Sequence, residues 1–116
     1  PVNAILAFER NWQKRFPEFA PHAVAAQKFF EDEGERIPLG RLCAQVQAGY
    51  FITAVRALGL DAGPITGADF EAIAADAVLL GGQDQQPFLV VNIGYGLGPF
   101  RERGVRFSFE QTTRTV

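Results

Sequence analysis

The sequence predicts a single domain whose fold mixes α-helices and β-strands. Two short apolar runs, at residues 2–8 and 88–93, have the length and composition of strands, and the chain between them shows mainly helical patterns. A length of 116 residues is enough to bury one modest core, so we expect one domain over residues 1–116.

The first predicted strand, Val2–Phe8, is nearly all apolar and is bounded by Pro1 and the charged pair Glu9–Arg10, which favours a strand covered on both faces. Because the chain opens on Pro1 rather than Met and enters this strand directly, we expect it to begin inside a domain. A helix is predicted near residues 22–33, ending in an acidic run before Gly34.

The long helix predicted at residues 39–59 has the strongest pattern. The stretch is rich in alanine, contains no proline, and has Gly59 in place to cap its end. Its polar side chains form one narrow stripe of Arg41, Gln45 and Arg56, and apolar residues occupy most of the remaining surface. A chain this small can hardly cover such a helix, so we expect a further segment or a second subunit to cover it.

The next segment, Gly63–Gly67, is predicted to be a loop, followed by a short helix with Asp69 as N-cap. Pro64 fixes its φ and the glycines permit close approach, so exposed backbone N–H groups here could hydrogen-bond a planar ligand. An ordinary connection between two helices is the alternative. Beyond the second strand, the tail from Val105 to Val116 is predicted to be extended.

Composition excludes several classes of function. The formal charge of −2 gives no electrostatic case for nucleic acid or an anionic membrane as partner. With one Cys and one His, a Cys/His metal cluster and an intrachain disulfide are both impossible. A reducing, cytoplasmic setting is therefore expected, and the apolar runs are too short to span a bilayer.

Two segments invite comparison with phosphate-binding motifs. The glycines of residues 94–99 follow G-x-G-x-G-P rather than G-x-G-x-x-G, and no helical pattern follows, so a plain turn is predicted. Arg101 and Arg103 are two residues apart, which places both guanidinium groups on one side of an extended segment, where they could grip one phosphate. The residues alone favour a solvated surface pair over such a clamp.

Three isolated side chains have structural interpretations. His22 lacks the neighbours of a catalytic triad and is predicted to lie in a loop or at a helix start. Cys43 is predicted to be a small core residue. Gln47 lies across the helix from the polar stripe and needs a hydrogen-bond partner if it is buried. No catalytic side chain is predicted.

Taken together, the segments resemble the nitroreductase superfamily over essentially the whole chain, and most of all its branch that includes the malonic semialdehyde reductases. The residues that carry the resemblance form six blocks, of which the fourth is the most specific. They are Pro1–Ile5, Phe16–Pro17 with Pro21–His22, Gln47–Tyr50, Arg56–Gly67, Asn92–Gly96 and Arg106–Glu110.

The resemblance implies an α+β fold in which an antiparallel sheet packs with helices. It also implies a homodimer that interlocks through the long helix, with each carboxy-terminal tail adding a strand to its neighbour. Flavin mononucleotide (FMN) would lie at the dimer interface. NADH or NADPH would pass hydride to flavin N5, and a small aldehyde, enone, quinone or nitro compound would then accept it.

The resemblance also implies a set of cofactor-binding residues. Backbone N–H groups at Thr66 and Gly67 would face the N5 and O4 edge of the flavin, in a segment that includes Pro64 and Ile65, and a donor there favours the reduced flavin. Arg101 and Arg103 match the basic pair that holds the flavin phosphate, which reverses the interpretation of these arginines from the residues alone.

The sequence departs from the family pattern in two ways. Members of the family carry an amino-terminal helical region with a further basic flavin-binding motif, which precedes the segment that matches Pro1, so the predicted fold is incomplete at its amino terminus. Cys43 stands where relatives often have an amide, so no flavin contact is assigned to it. Two hypotheses follow, a portion of a flavin reductase or a catalytically incompetent dimerisation or interaction module of the same fold.

Overall fold

A computed structural model describes residues 1–80, 84–98 and 102–116. Within them the chain forms three strands and six α-helices, and a short 3₁₀ helix spans Trp12–Arg15. The strands are β1 (Val2–Glu9), β2 (Asp61–Ile65) and β3 (Gln85–Gly94). The helices are α1 (Phe16–Phe19), α2 (Val24–Phe29), α3 (Glu33–Ala57), α4 (Phe70–Ala75), α5 (Ala77–Leu80) and α6 (Phe109–Thr112).

The three strands form one antiparallel sheet in the order β1-β3-β2, which confirms the α+β class and the antiparallel sheet. β1 pairs with β3 from Val2↔Ile93 to Glu9↔Gln85, with a shift in register between Leu6 and Ala7. Both predicted strands are present. β1 is half-buried along most of its length rather than covered on both faces, because β3 takes the central position and leaves β1 at the edge.

Gly63–Gly67 was predicted to be a loop, and this prediction was wrong for residues 63–65, which belong to the edge strand β2. Gly63 and Pro64 both have a low intrinsic preference for strands, which hides the element in the sequence. Pairing with β3 overrides that preference. Pro64, opposite Val91, has no N–H to donate, so the ladder bonds are made by its neighbours Gly63 and Ile65.

The long helix α3 begins at Glu33, earlier than predicted, and the preceding helix is correspondingly shorter. Asp32 caps α3, accepting a hydrogen bond from the Gly34 N–H at 2.7 Å, so the acidic run that was expected to end one helix begins the next. At the other end Gly59 has a φ of 81°, and its N–H bonds the Arg56 carbonyl. The predicted glycine cap is confirmed.

The core lies where α3 packs on the sheet. Its centre consists of Ala48 from α3 with Leu89 and Val91 from β3, and Val91 is fully buried. The core is small for the chain. The radius of gyration is 17.9 Å, whereas a compact domain of this length would have about 13 Å. Much of the apolar surface therefore remains exposed.

The tail was predicted to be extended, and residues 109–112 depart from that prediction by forming the helical turn α6. A capping box stabilises the turn, because the Gln111 side chain accepts from the Ser108 N–H at 2.8 Å. Hydrogen bonds from the backbone N–H of Glu110 and from the Ser108 side chain lower the pKa of Glu110.

Residues 10–31 are held to the start of α3 by a buried arginine. The Arg36 guanidinium donates to the carbonyls of Arg10 at 2.9 Å, Phe30 at 3.0 Å and Glu31 at 2.8 Å. The carbonyl of Arg36 in turn accepts from the Trp12 indole N–H at 3.2 Å. The buried cation is thus satisfied by backbone carbonyls, including those that end α2, where the helix dipole favours positive charge.

Replacing Arg36 with Met keeps an apolar stem but leaves these carbonyls without their donor. We expect Arg36→Met to lower the free energy of unfolding by about 2–4 kcal/mol, since buried acceptors lose charge-assisted hydrogen bonds. Urea denaturation measures the change. Arg41→Met, at an exposed position of the same helix, is the matched control and should change stability by less than about 0.5 kcal/mol. Equal effects of the two substitutions would contradict this role of Arg36.

Candidate functional site

The segment Pro64–Gly67 lies at the exposed end of the edge strand β2. All four residues are exposed. Pro64 occupies a position outside the ladder bonds, so the main-chain nitrogen at that position faces away from β3. Thr66 is the first residue after β2 and lies in a bend, and its backbone N–H donates to no backbone carbonyl within the described residues. We therefore expect the Thr66 N–H also to face outward, which leaves it free for a ligand.

A cavity of about 360 Å³ adjoins Thr66, between α3 and the sheet. From α3 it is lined by Arg41 and Gln45, and from the other elements by Thr66, Phe70, Gln86, Pro87 and Phe88. Two residues of the polar stripe, Arg41 and Gln45, thus face the end of β2. The sequence showed the stripe but gave no reason to connect it with Thr66, because that connection depends on how the helix packs over the sheet.

Of the two arginines predicted to bind a phosphate, only one lies within the described residues. Arg101 lies outside the described residues. Arg103 is exposed, in a segment without helix or strand, and its side chain makes no hydrogen bond or ion pair within the described parts of the chain. The glycine segment was predicted to be a plain turn; Gly94 ends β3, and residues 95–98 lie in neither a helix nor a strand. The pairing of the two arginines on one phosphate stays a prediction.

An aromatic cleft of about 480 Å³ opens on the other side of α3. The Trp12 ring lies 4.9 Å from that of Phe30 and 5.6 Å from that of Phe16, measured between centroids. Cys43 lines this cleft and is exposed, so its prediction as a core residue was wrong.

Gln47 is exposed too and needs no buried partner. His22 lies in a turn before α2, as predicted.

The outer face of α3, turned away from the sheet, is apolar and exposed. Leu42 is 57% exposed, Val46 56% and Tyr50 75%. These residues are four apart and so lie in one row along the helix. The sequence predicted that the chain would not cover this helix alone, and the row has no cover within the described residues.

Two classes of site find no support in the described residues. No group of three or more His, Cys, Asp or Glu side chains is placed to hold a metal ion there. Among the helices of the same residues, none combines the length and the apolar character needed to cross a membrane.

Comparisons with known proteins identify relatives over almost the whole chain, although no family model matches it. A Streptomyces coelicolor protein named "Putative NADH dehydrogenase/NAD(P)H nitroreductase" is 39% identical over 118 residues, covering 100% of this chain and 59% of the relative. A Leptothrix cholodnii protein of the same name is 38% identical over 112 residues, covering 95% of this chain and 56% of the relative. The chain therefore spans a little over half the length of these relatives.

The fold has a solved counterpart. The crystal structure of a nitroreductase-like protein from Streptococcus mutans superimposes with a TM-score of 0.72 and 22% sequence identity. The match covers 98% of this chain and 62% of the other. At this level of identity the similarity establishes the fold, and it agrees with the antiparallel sheet and packed helices described above.

The tight contact between α3 and Trp12 can be tested by replacing each of two glycines of α3, Gly40 and Gly49, with alanine. A Cβ atom at Gly40 would lie 2.6 Å from the Trp12 Nε1, so Gly40→Ala must displace the indole from its hydrogen bond to Arg36. We expect a red-shifted emission from this single tryptophan and a loss of about 1–2 kcal/mol of stability.

The matched control is Gly49→Ala, because apart from its neighbours in the chain and the local helix backbone no atom lies within 4 Å of a Cβ at that position. That substitution should leave the emission unchanged and raise stability by about 0.5–1 kcal/mol through helix propensity. Fluorescence spectra and denaturation curves of both variants make the comparison. An unshifted spectrum for Gly40→Ala would show that the aromatic cleft is not packed as described.

Proposed function

Because this chain belongs to the nitroreductase superfamily, we propose that it supplies one share of the flavin site of an NAD(P)H-dependent oxidoreductase. The proposed cofactor is FMN, and the hydride donor is NADH or NADPH. The acceptor is a small aldehyde, enone, quinone or nitro compound, and the resemblance to the malonic semialdehyde reductases favours an aldehyde. When bound, FMN supplies a ring nitrogen, N5, that accepts and donates hydride.

The observation that carries the proposal is the exposed end of β2. A flavin ring is planar and needs hydrogen-bond donors at its polar edge together with an adjoining space. Thr66 lies at the end of an edge strand with its N–H expected to face outward, and the cavity of about 360 Å³ begins there. The residues present thus fit one edge of the group.

The chain's own residues would bind and orient rather than react. Pro64 and Ile65 fix the direction of the segment through their pairing with β3, and Thr66 and Gly67 donate backbone N–H groups to the ring edge. Arg101 and Arg103 hold the phosphate through charge-assisted hydrogen bonds. No side chain of this chain is proposed as a nucleophile.

A homodimer is part of the proposal. The exposed row Leu42, Val46 and Tyr50 would be buried against a second subunit, since a contiguous apolar surface on a helix marks an interaction site. The exposed apolar residues of the tail, Phe107 and Phe109 among them, would pack on the partner. A cytoplasmic location is also proposed, because the lone Cys43 fits a reducing compartment.

The alternative is an interaction module of the same fold that has no catalytic activity. The exposed apolar surface on α3 is compatible with this alternative as well as with the oxidoreductase, since it would serve dimerisation whether or not flavin binds. Titrating the purified protein with FMN and following NAD(P)H oxidation with an electron acceptor separates the two. Protein that neither binds FMN nor oxidises NAD(P)H supports the module and rules out the oxidoreductase for this chain.

The backbone donor at residue 66 can be removed by a proline substitution. Thr66→Pro deletes the N–H, and the extended backbone of Ile65 suits a residue that precedes proline. We expect FMN affinity to fall about three- to tenfold, the equivalent of one lost hydrogen bond. Fluorescence titration measures the dissociation constant.

Thr66→Ala is the control, because it removes the hydroxyl and keeps the N–H. Its FMN affinity should stay within about twofold of the parent, the ratio expected when no hydrogen bond is lost. If Thr66→Ala weakens binding as much as Thr66→Pro, the side chain and not the backbone makes the contact, and the proposed geometry at the ring edge is wrong.

A charge placed in the exposed row of α3 tests the dimer. In Val46→Glu the carboxylate is solvated in a monomer but would be buried in the proposed interface, where an unpaired charge costs several kcal/mol. We expect analytical ultracentrifugation to show a dimer for the parent and a monomer for the variant. Ala74→Glu adds the same charge at an exposed position of α4 and should remain dimeric. A dimeric Val46→Glu would place the interface elsewhere.

A further inference from the structure

Arg41 contributes the one charged side chain among the described residues that line the cavity next to Thr66. The rest of the lining is uncharged and consists of Gln45, Thr66, Phe70, Gln86, Pro87 and Phe88. Arg41 and Gln45 are four residues apart on α3, so they are neighbours on one face of the helix. A guanidinium and an amide therefore face the same space from one side.

Within the described parts of the chain, no carboxylate neutralises this cation. The three ion pairs found there belong to Arg10, Arg15 and Arg56. The remaining residues, 81–83 and 99–101, include no Asp or Glu, so they supply no acidic partner either. The Arg41 side chain is exposed, and its guanidinium can therefore donate charge-assisted hydrogen bonds to an anion that enters the cavity.

The walls opposite Arg41 are mainly apolar. Phe70 and Phe88 are half-buried and Pro87 is buried. Apolar walls exclude water and so strengthen the attraction between opposite charges, and a ligand cavity typically combines such walls with a few polar groups. The guanidinium presents a planar fork of N–H donors that matches the two oxygens of a carboxylate. The lining therefore fits a small molecule that has an apolar body and one carboxylate.

The same cavity begins at Thr66, where the proposed function places the N5 edge of the flavin. The carbon that accepts the hydride must come close to that edge, because hydride transfer requires the reacting atoms to be in contact. A ligand in this cavity can thus have its reacting carbon beside Thr66 and its carboxylate on Arg41. Both ends of the ligand are then recognised within one space of about 360 Å³.

We propose that Arg41, assisted by Gln45, binds a carboxylate of the hydride acceptor, so that the preferred acceptors are small carbonyl compounds that carry a carboxylate. The inference rests on the proposed function. In the reaction the carbonyl carbon gains the hydride that NAD(P)H supplies, the carbonyl oxygen takes a proton from water, and the aldehyde becomes an alcohol. The carboxylate is unchanged. Arg41 thus determines specificity by binding and orienting the acceptor.

The test compares two aldehydes of the same shape, 4-formylbenzoate and its neutral amide 4-formylbenzamide, as acceptors for the FMN-loaded protein. We expect the ratio of their kcat/KM values, acid over amide, to fall about ten- to thirtyfold in Arg41→Met, because charge-assisted hydrogen bonds are lost. The loss should appear in KM rather than kcat, since the carboxylate is held equally before and during hydride transfer. Arg41→Lys keeps the charge without the fork and should give an intermediate ratio.

Equilibrium binding gives a second readout that does not depend on turnover. Isothermal titration calorimetry of the FMN-loaded protein with benzoate and with benzamide, neither of which has an aldehyde to reduce, measures the subsite directly. We expect Arg41→Met to weaken benzoate binding about tenfold relative to benzamide. The matched control is Lys28→Met, which removes the same charge from an exposed position of α2 and should change this relative affinity by less than about twofold.

The outcomes separate this inference from the proposed function. If Arg41→Met affects the acid and the amide equally, the subsite is overturned while the flavin proposal stands. A loss of FMN affinity, or a rise in the KM for NAD(P)H, as large as the effect on the acid places the cation on the cofactor or the hydride donor and overturns the subsite too. A parent protein that neither binds FMN nor oxidises NAD(P)H overturns the proposed function, and this inference with it.

A second variant decides the question if Arg41→Met does not fold, as judged by circular dichroism. Arg41→Gln also removes the charge and keeps a polar side chain suited to an exposed helix position. The same fall in the ratio of acid to amide is expected for it, and an unchanged ratio would overturn the subsite.

Discussion

The central position of β3 is the constraint on which the rest of the structure depends. β1 and β2 do not pair with each other, so each joins the sheet only through β3. Val91, in the middle of β3, is fully buried and stands opposite Pro64 in one neighbour and Ala4 in the other. The end of β2 and the glycine segment that follows β3 are therefore placed by the same strand, at opposite ends of the ladder between β2 and β3.

The long helix α3 contributes in a different way along each of its faces. On the face toward the sheet, Ala48 packs against Leu89 and Val91 of β3. Arg41 and Gln45 of the polar stripe turn toward the end of β2. On the opposite face, the apolar row Leu42, Val46 and Tyr50 is exposed. A chain with so small a core does not bury both faces, because its remaining elements are too few and too short to form a second layer.

Charge and hydrogen bonding hold the parts that the core does not reach. Arg36 donates hydrogen bonds to the carbonyls of Arg10, Phe30 and Glu31, and these bonds hold the irregular segment before α3 in place. At the other end of the same helix, Arg56 and Asp61 join α3 to β2 and to the glycine segment. Of the two, the buried Arg36 has the larger energetic role, because exposed ion pairs are screened by water.

The amino-acid sequence by itself determined the mixed fold, the strands β1 and β3, the cap at Gly59, the Asp69 cap of α4 and the uncovered face of α3, because apolar periodicity and capping residues are local signals. It also supplied the residues by which the chain resembles its family. Only the tertiary structure decided that residues 61–65 form a strand, since the ladder bonds come from β3 and not from the preferences of Gly63 and Pro64. It alone brought Asp61 to Gly96 and Arg41 and Gln45 of α3 to Thr66, because these residues are far apart in sequence and meet only through strand pairing and the packing of helix on sheet.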